Sequence, residues 1–265
     1  MTNIFKGQLI LAGLNAKTAK SDAISDYATA IMYMAPADLA GGKTVCAFAD
    51  KAGCKEGCLN LSGQGVFTNV QQARIRKTRL YLNNREAFLS ALWTDLEKFV
   101  AWCDKRGKKP AVRLNGTSDI PYERIERDGN TVFAAFPQIR FYDYTKVYSR
   151  VSRALPLNYS LVLSYSEAHP DFAQKVLRAA DSSGVNIAAV YRDRAAQARA
   201  IECGDARFGD RRIVDGDQTD LRFLDPAGVV VALYAKGKAR ADRSGFVLDI
   251  AQLTTSQGRK NNGRP

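Results

Sequence analysis

Three cysteines, Cys46, Cys54 and Cys58, fall within thirteen residues in the stretch CAFADKAGCKEGC. Their spacing, Cys-x₇-Cys-x₃-Cys, gathers three soft donors on one loop and leaves a metal site one ligand short. Structural zinc is closed by four ligands, usually as two close pairs. Here only Cys54 and Cys58 make such a pair, and no second pair follows. An iron–sulfur cubane held by three thiolates keeps one iron open to a cofactor or substrate. The triplet therefore points to a metal or cluster site with Cys46, Cys54 and Cys58 as ligands.

Polar residues recur in short groups further along. The segment RLNGTSDIPYE carries Asn115, Gly116, Thr117, Ser118 and Asp119, and FYDYTK carries Asp143, Thr145 and Lys146. Ser164, Ser166 and Glu167 follow in LSYSEA, then Arg192 and Asp193, and then DGDQTD with Asp215, Asp217 and Asp220. As one site, Asp119, Asp143, Lys146, Glu167 and Asp217 are the candidate catalytic groups, able to hold or move protons. Asn115, Gly116, Thr117, Ser118, Ser164 and Ser166 are the candidate ligand-binding groups. Each also has a structural reading: NGTSD is a good turn and helix-cap sequence, and Asp143 with Lys146 could form a salt bridge. DGDQTD lacks the glutamate at the twelfth position of a calcium loop.

His169 is the only histidine, placed either to cap a helix or to titrate. Without a G-x-S-x-G motif beside it, a Ser-His-Asp hydrolase is not expected. Cys103 falls on an apolar helix face and reads as a small buried hydrophobe, whereas Cys203 carries no pattern and could serve as a stray fourth ligand.

The chain of 265 residues has a net charge of +12, which favours polyanionic partners. Basic residues cluster at Arg74, Arg76, Lys77 and Arg79, again at Lys105 to Lys109, and at Lys236 to Arg240. Nucleic acid is the expected partner, DNA ahead of RNA, with the first cluster as a phosphate-binding helix. No apolar run reaches membrane-spanning length, so no membrane partner is expected. The amino terminus lacks a basic start and a cleavage site, so a cytoplasmic location with reduced cysteines is expected.

The elements that must position these groups alternate between short apolar strands and amphipathic helices. Strands are predicted near residues 28–34, 111–114, 139–144, 159–165, 186–191, 212–214 and 229–234. Helices are predicted over 85–103, where Phe88, Leu92, Leu96, Phe99 and Cys103 share one face, and over 171–180. Strands separated by helices imply parallel βαβ units. The expected fold is α/β, a complete or partial (β/α) barrel in one domain over residues 1–250, followed by a disordered basic tail at 251–265. In such barrels function gathers where strands end, which is where the polar groups stand.

The pieces CKEGCLNLSGQG, QQARIRKTR, RLNGTSDIPYE, FYDYTK, NYSLVLSYSEA and VDGDQTDLRFLDP resemble a group of phage and prophage proteins. This resemblance implies a phage or prophage protein acting inside a bacterial host. The layout of a three-cysteine loop, a helix and a Gly-containing acidic motif is also similar to the radical S-adenosylmethionine enzymes. That resemblance implies a [4Fe–4S] cluster on Cys46, Cys54 and Cys58, with Asn115 to Asp119 holding the amino group of S-adenosylmethionine. A second resemblance is to the tRNA-guanine transglycosylases and their DNA-modifying phage relatives. It implies base exchange with Asp119 and one of Asp215, Asp217 or Asp220 in the two aspartate roles, and zinc as a structural metal. The leading expectation is a nucleic-acid-modifying enzyme using a cluster and S-adenosylmethionine on a base. The alternatives are guanine transglycosylation, and a non-catalytic nucleic-acid-binding protein stapled by its metal.

Overall fold

The computed structural model describes residues 4–14 and 16–250. In chain order the elements are β1 (Phe5–Lys6), β2 (Ile10–Ala12), α1 (Ala16–Ala23), β3 (Tyr27–Met32), α2 (Thr68–Asn83), α3 (Arg85–Asp104) and β4 (Lys109–Arg113). A small hairpin follows, β5 (Glu126–Arg127) and β6 (Asn130–Thr131), then α4 (Val132–Ala135), β7 (Arg140–Thr145) and β8 (Tyr159–Ser164). The last third holds α5 (Pro170–Ser183), β9 (Ile187–Tyr191), α6 (Arg194–Cys203), β10 (Ile213–Asp215), β11 (Val230–Tyr234) and β12 (Val247–Leu248).

Strands β3, β4, β7, β8 and β9 lie side by side in chain order and all run parallel. The next position is taken by β11, with β10 outside it. A plain barrel would keep the chain order. Here the more apolar run, VVALY, takes the inner place, and the three-residue IVD, half-exposed over its last two residues, takes the edge. At the other edge the β1–β2 hairpin adds antiparallel to β3, with Ile10 opposite Met32.

Side chains alternate across the sheet. One face carries Ala28, Ala30, Met32, Val112, Phe141, Leu161, Leu163, Ile187 and Ala189, and it packs with the buried faces of α3 and α5 in one apolar core. The spacing of Phe88, Leu92, Leu96, Phe99 and Cys103 is the reason α3 packs there, and all five are buried. Asn84 caps α3 by accepting from the Ala87 N–H, and Asp193 caps α6 by accepting from Ala196. Gly184, at φ +70°, closes α5. The opposite sheet face holds Tyr27, Ala111 and Tyr142, covered by Leu221 and Phe223 from the loop after β10.

With its main helices packed on one face, the mostly parallel sheet forms the centre of a single mixed α/β domain. Of the expected complete or partial barrel, closure is not seen: among the described residues β10 and β1, at the two edges, do not pair with each other. Between those edges, the Ser21 hydroxyl of α1 accepts the Asp220 N–H at 2.8 Å. The expected tail at 251–265 lies outside the described residues.

Candidate functional site

The carboxyl ends of β3, β4 and β7 are bound together by the loops that follow them. After β4, Gly116 donates its N–H to Met32 O at 3.0 Å, and Asp119 donates to Val45 O at 2.9 Å. A side chain on Gly116 would strike Ile31 and the Met32 carbonyl, so only glycine allows this approach. Thr117 Oγ1 donates to Met34 O at 2.6 Å, and Cys46 Sγ donates weakly to Thr117 O at 3.8 Å. The NGTSD loop thus lies directly against the first cysteine.

Within that loop Asn115 is fully used. Its Oδ1 accepts from the Ser118 hydroxyl and the Ile120 N–H, both at 2.8 Å. Its Nδ2 donates to Ile120 O and Asp143 Oδ2, and its N–H donates to Asp143 Oδ1 at 2.7 Å. Asp143 is fully buried and also accepts from Tyr159 Oη at 3.1 Å. Burial pushes its carboxyl up to about 7, although Asn115 and the nearby Arg113 and Arg150 pull the other way.

Asp119 accepts from Thr145 Oγ1 at 2.8 Å, from the Lys146 N–H at 2.8 Å, and from Arg150 Nη1 at 2.7 Å. Arg150 is almost wholly buried and reaches Glu123 through Nε and Nη2 at 2.8 and 2.7 Å. Asp119 and Asp143 therefore shape the loops, with their oxygens engaged by protein donors.

The same turn sets Lys146. Its half-buried ammonium stands 5.5 Å from the centre of the Phe246 ring. Burial opposes the charge, but the ionisable thiols of Cys54, Cys58 and Cys46 and the Asp119 carboxylate, with Cys54 the strongest influence, outweigh burial and raise the Lys146 pKa. All three cysteines of the triplet are free thiols, half-buried, and share this one cation. Burial pushes the Cys46 thiol up to about 12 and also raises Cys58, with Lys146 acting against the rise in both.

The donor set suits a soft metal or an iron–sulfur cluster by type and by shared neighbourhood. As the side chains stand, though, no group of three or more His, Cys, Asp or Glu among the described residues is arranged to hold a metal ion. The expected triplet of ligands is brought to one place without being closed on one point.

Of the other expected residues, Ser166 braces the cysteine loop, whereas Asp217 and Glu167 are engaged with partners of their own away from it. Ser166 Oγ donates to Ala52 O at 2.7 Å and Ser244 Oγ to Gly53 O at 2.7 Å, tying the cysteine loop down from two sides. Ser164 is buried at the end of β8. Asp217 is held by Lys236 at 2.6 Å and by the Tyr234 N–H at 3.2 Å, while exposed Glu167 pairs with Arg207 at 3.2 Å. His169 occupies the N-cap position of α5 without a side-chain capping bond. Cys103 is buried, as its helix face implied, and Cys203 is exposed.

The basic helix α2 is more internal than its composition suggests. Buried Arg74 donates to Asn60 O and Oδ1 at 2.9 and 2.6 Å, Lys77 to Leu9 O at 2.6 Å, and Arg79 to Ala40 O at 3.0 Å. Arg74 and Lys77 thus serve the fold, leaving Arg76 and Arg79 exposed.

A second polar layer lies on the sheet face that carries Tyr27, Ala111 and Tyr142. Arg113 faces Asp220 at 3.6 Å and stands 4.6 Å from the centre of the Tyr144 ring, and Tyr142 Oη donates to Asp220 Oδ2 at 2.9 Å. Arg222, wholly buried, pairs with Asp225 at 3.3 Å. In the sequence its only signals were an arginine inside the apolar strand AVRL and another in DLRFLD.

No helix among the described residues is long and apolar enough to cross a membrane. No curated protein and no solved structure matches the chain. The model of one family, gene product 88, matches from residue 8 to residue 250, a span that takes in the cysteine loop, the strand-end motifs and the Arg113–Asp220 cluster. The chain belongs to this phage-type family, GP88.

Proposed function

We propose that the chain is a phage nucleic-acid-modifying enzyme whose reaction centre lies where β3, β4 and β7 end. In this reading Cys46, Cys54 and Cys58 hold an iron–sulfur cluster, and S-adenosylmethionine is the co-substrate. The observation that supports it is the shared cation: three free thiols from one loop have Lys146 as a common neighbour. Cys46, Cys54 and Cys58 would hold the cluster, and when bound it would supply one-electron reduction of S-adenosylmethionine.

The protein's own residues prepare that site. Lys146 offsets negative charge as the thiols ionise, which matters for Cys46, whose thiol burial pushes up to about 12. Asp119 fixes the Lys146 backbone, and Asn115 with Ser118 holds the NGTSD turn beside Cys46. Closing on a cluster requires the sulfurs to turn away from their present weak contacts, Thr117 O for Cys46 and Ala49 O for Cys54. The net charge of +12 supports a nucleic-acid substrate.

The test is anaerobic purification and reconstitution with iron and sulfide, followed by reduction in the presence of S-adenosylmethionine. Release of 5′-deoxyadenosine by the wild type, and its loss in Cys54→Ala, is the expected result. A protein that carries stoichiometric zinc and takes up no iron would remove the cluster from this reading.

A further inference from the structure

Beside Cys58 the chain exposes an apolar ledge: Leu59 is 50%, Val66 61% and Phe67 59% accessible. Large apolar side chains exposed next to a candidate reaction centre suit a partner. The base of the ledge is rigid. Arg74 and Gln71 beneath it bond to the Asn60 and Gly65 carbonyls, and Gly65 has no room for a side chain against Asn60 O.

The chain that follows the ledge carries charge of one sign, whereas exposed Glu56 stands just before it. From Gly57 to Arg85 the sequence contains no Asp or Glu. Exposed Arg76 lies further along α2, which starts directly after Phe67. On the other side, the turn Gly237–Ala241 packs on the segment 59–61, and Gly237 sits against Ser62. That turn exposes Lys238 and Arg240, two members of a basic cluster far away in sequence. Two basic segments thus flank one apolar step.

We propose that this ledge is the docking surface for a single-stranded segment of nucleic acid. Bases stack on Phe67 with Leu59 and Val66 beside it, while Arg76, Lys238 and Arg240 take the phosphates. Exposed rings bordered by cations are what single strands use, since every base has a stacking face and every link a negative charge. A duplex keeps its bases stacked inside and gains nothing from the ring, so the partner is an unpaired or flipped strand. The inference rests on the nucleic-acid reading above and adds the surface and the strand state.

The test is fluorescence-anisotropy titration of the full chain with a labelled single-stranded oligonucleotide and the matching duplex, across a range of salt. The wild type is expected to bind the single strand more tightly than the duplex. Phe67→Ala should weaken single-strand binding roughly five- to hundredfold and leave duplex binding unchanged. The double variant Lys238→Glu, Arg240→Glu should reduce the salt slope by about 1.4, from two lost phosphate contacts. Both sites are exposed, so thermal midpoints should stay at the wild-type value. Wild-type single-strand affinity in both variants would overturn the ledge, as would self-association of the chain that Phe67→Ala abolishes. No binding of either oligonucleotide by the wild type would instead defeat the nucleic-acid reading on which the ledge depends.

Discussion

Asp119 accepts the backbone N–H of Lys146 at 2.8 Å, and this bond ties the NGTSD loop to the residue whose ammonium the three cysteines influence electrostatically. The same carboxylate neutralises Arg150 at 2.7 Å, in a place where neither group reaches water freely. Asp119 is thus a positioning residue. Removing it loosens the turn and leaves a buried guanidinium with Glu123 as its remaining carboxylate partner.

Asp119→Ala is expected to cost about 3–5 kcal/mol of stability, the usual penalty for breaking one side of a buried ion pair. Asp119→Asn should cost less, since the amide oxygen can still accept from the Lys146 N–H. Urea unfolding of the three proteins measures both. Equal midpoints for wild type and Asp119→Ala would show that the carboxylate does not hold the turn.

Asp95 anchors the edge hairpin from the middle of α3. Its carboxylate accepts the N–H groups of Gln8, Leu9 and Ile10 at 3.0, 2.6 and 3.1 Å. Asp95→Ala leaves these donors unpaired and should cost about 2–4 kcal/mol, with much faster amide exchange at residues 8–10. Gly7→Ala should do similar damage from the other side, because its Cβ would lie 2.4 Å from an Asp95 oxygen held in place by those bonds. Unchanged exchange in both variants would contradict this anchoring.

Asp143 gives a pH signature. Burial raises its carboxyl from the usual 3.8 to about 7 in the folded chain. The folded state therefore holds this proton more tightly than the unfolded state. The stability it contributes is complete below pH 3.8 and is lost as pH rises through 7. Asp143→Asn should flatten the fall between pH 5 and 8 while lowering stability overall, because an amide nitrogen would face the donors Asn115 and Tyr159. Parallel pH profiles of the two proteins in denaturant titrations would refute the assignment.

The thiols should differ in reactivity. Exposed Cys203 is expected to alkylate first at pH 8. Cys46 and Cys103, both pushed by burial up to about 12, should follow far more slowly. Mass mapping of iodoacetamide adducts over time gives the order, and early modification of Cys46 ahead of Cys203 would contradict it.

The sheet was largely legible because its parallel strands are buried on both faces and read as apolar runs. Each of the seven predicted strands lies within about two residues of an observed one, and α3 follows its apolar stripe. The order of the last two strands was not legible, because pairing across α6 is decided by competition between runs and not by either run alone. The two- and three-residue strands of the edge hairpin were too short to show, and their anchor Asp95 lies 85 to 87 residues away. Convergence of the strand-end motifs followed from the topology. The employment of Asn115, Asp119 and Asp143 as structural acceptors did not, since their partners Tyr159 and Arg150 come from other strands and turns. Arg74 and Lys77 misled for a related reason: a basic helix reads as solvated until its packing face is known.

The most direct measurement is the iron and acid-labile sulfide content of anaerobically reconstituted wild-type chain, set beside Cys46→Ala, Cys54→Ala and Cys58→Ala. A three-thiolate cubane requires about four irons and four sulfides per wild-type chain, and their loss when any one of the three cysteines is replaced. Wild-type protein that binds no iron, or iron retained by all three variants, would contradict a cluster at the Lys146 site.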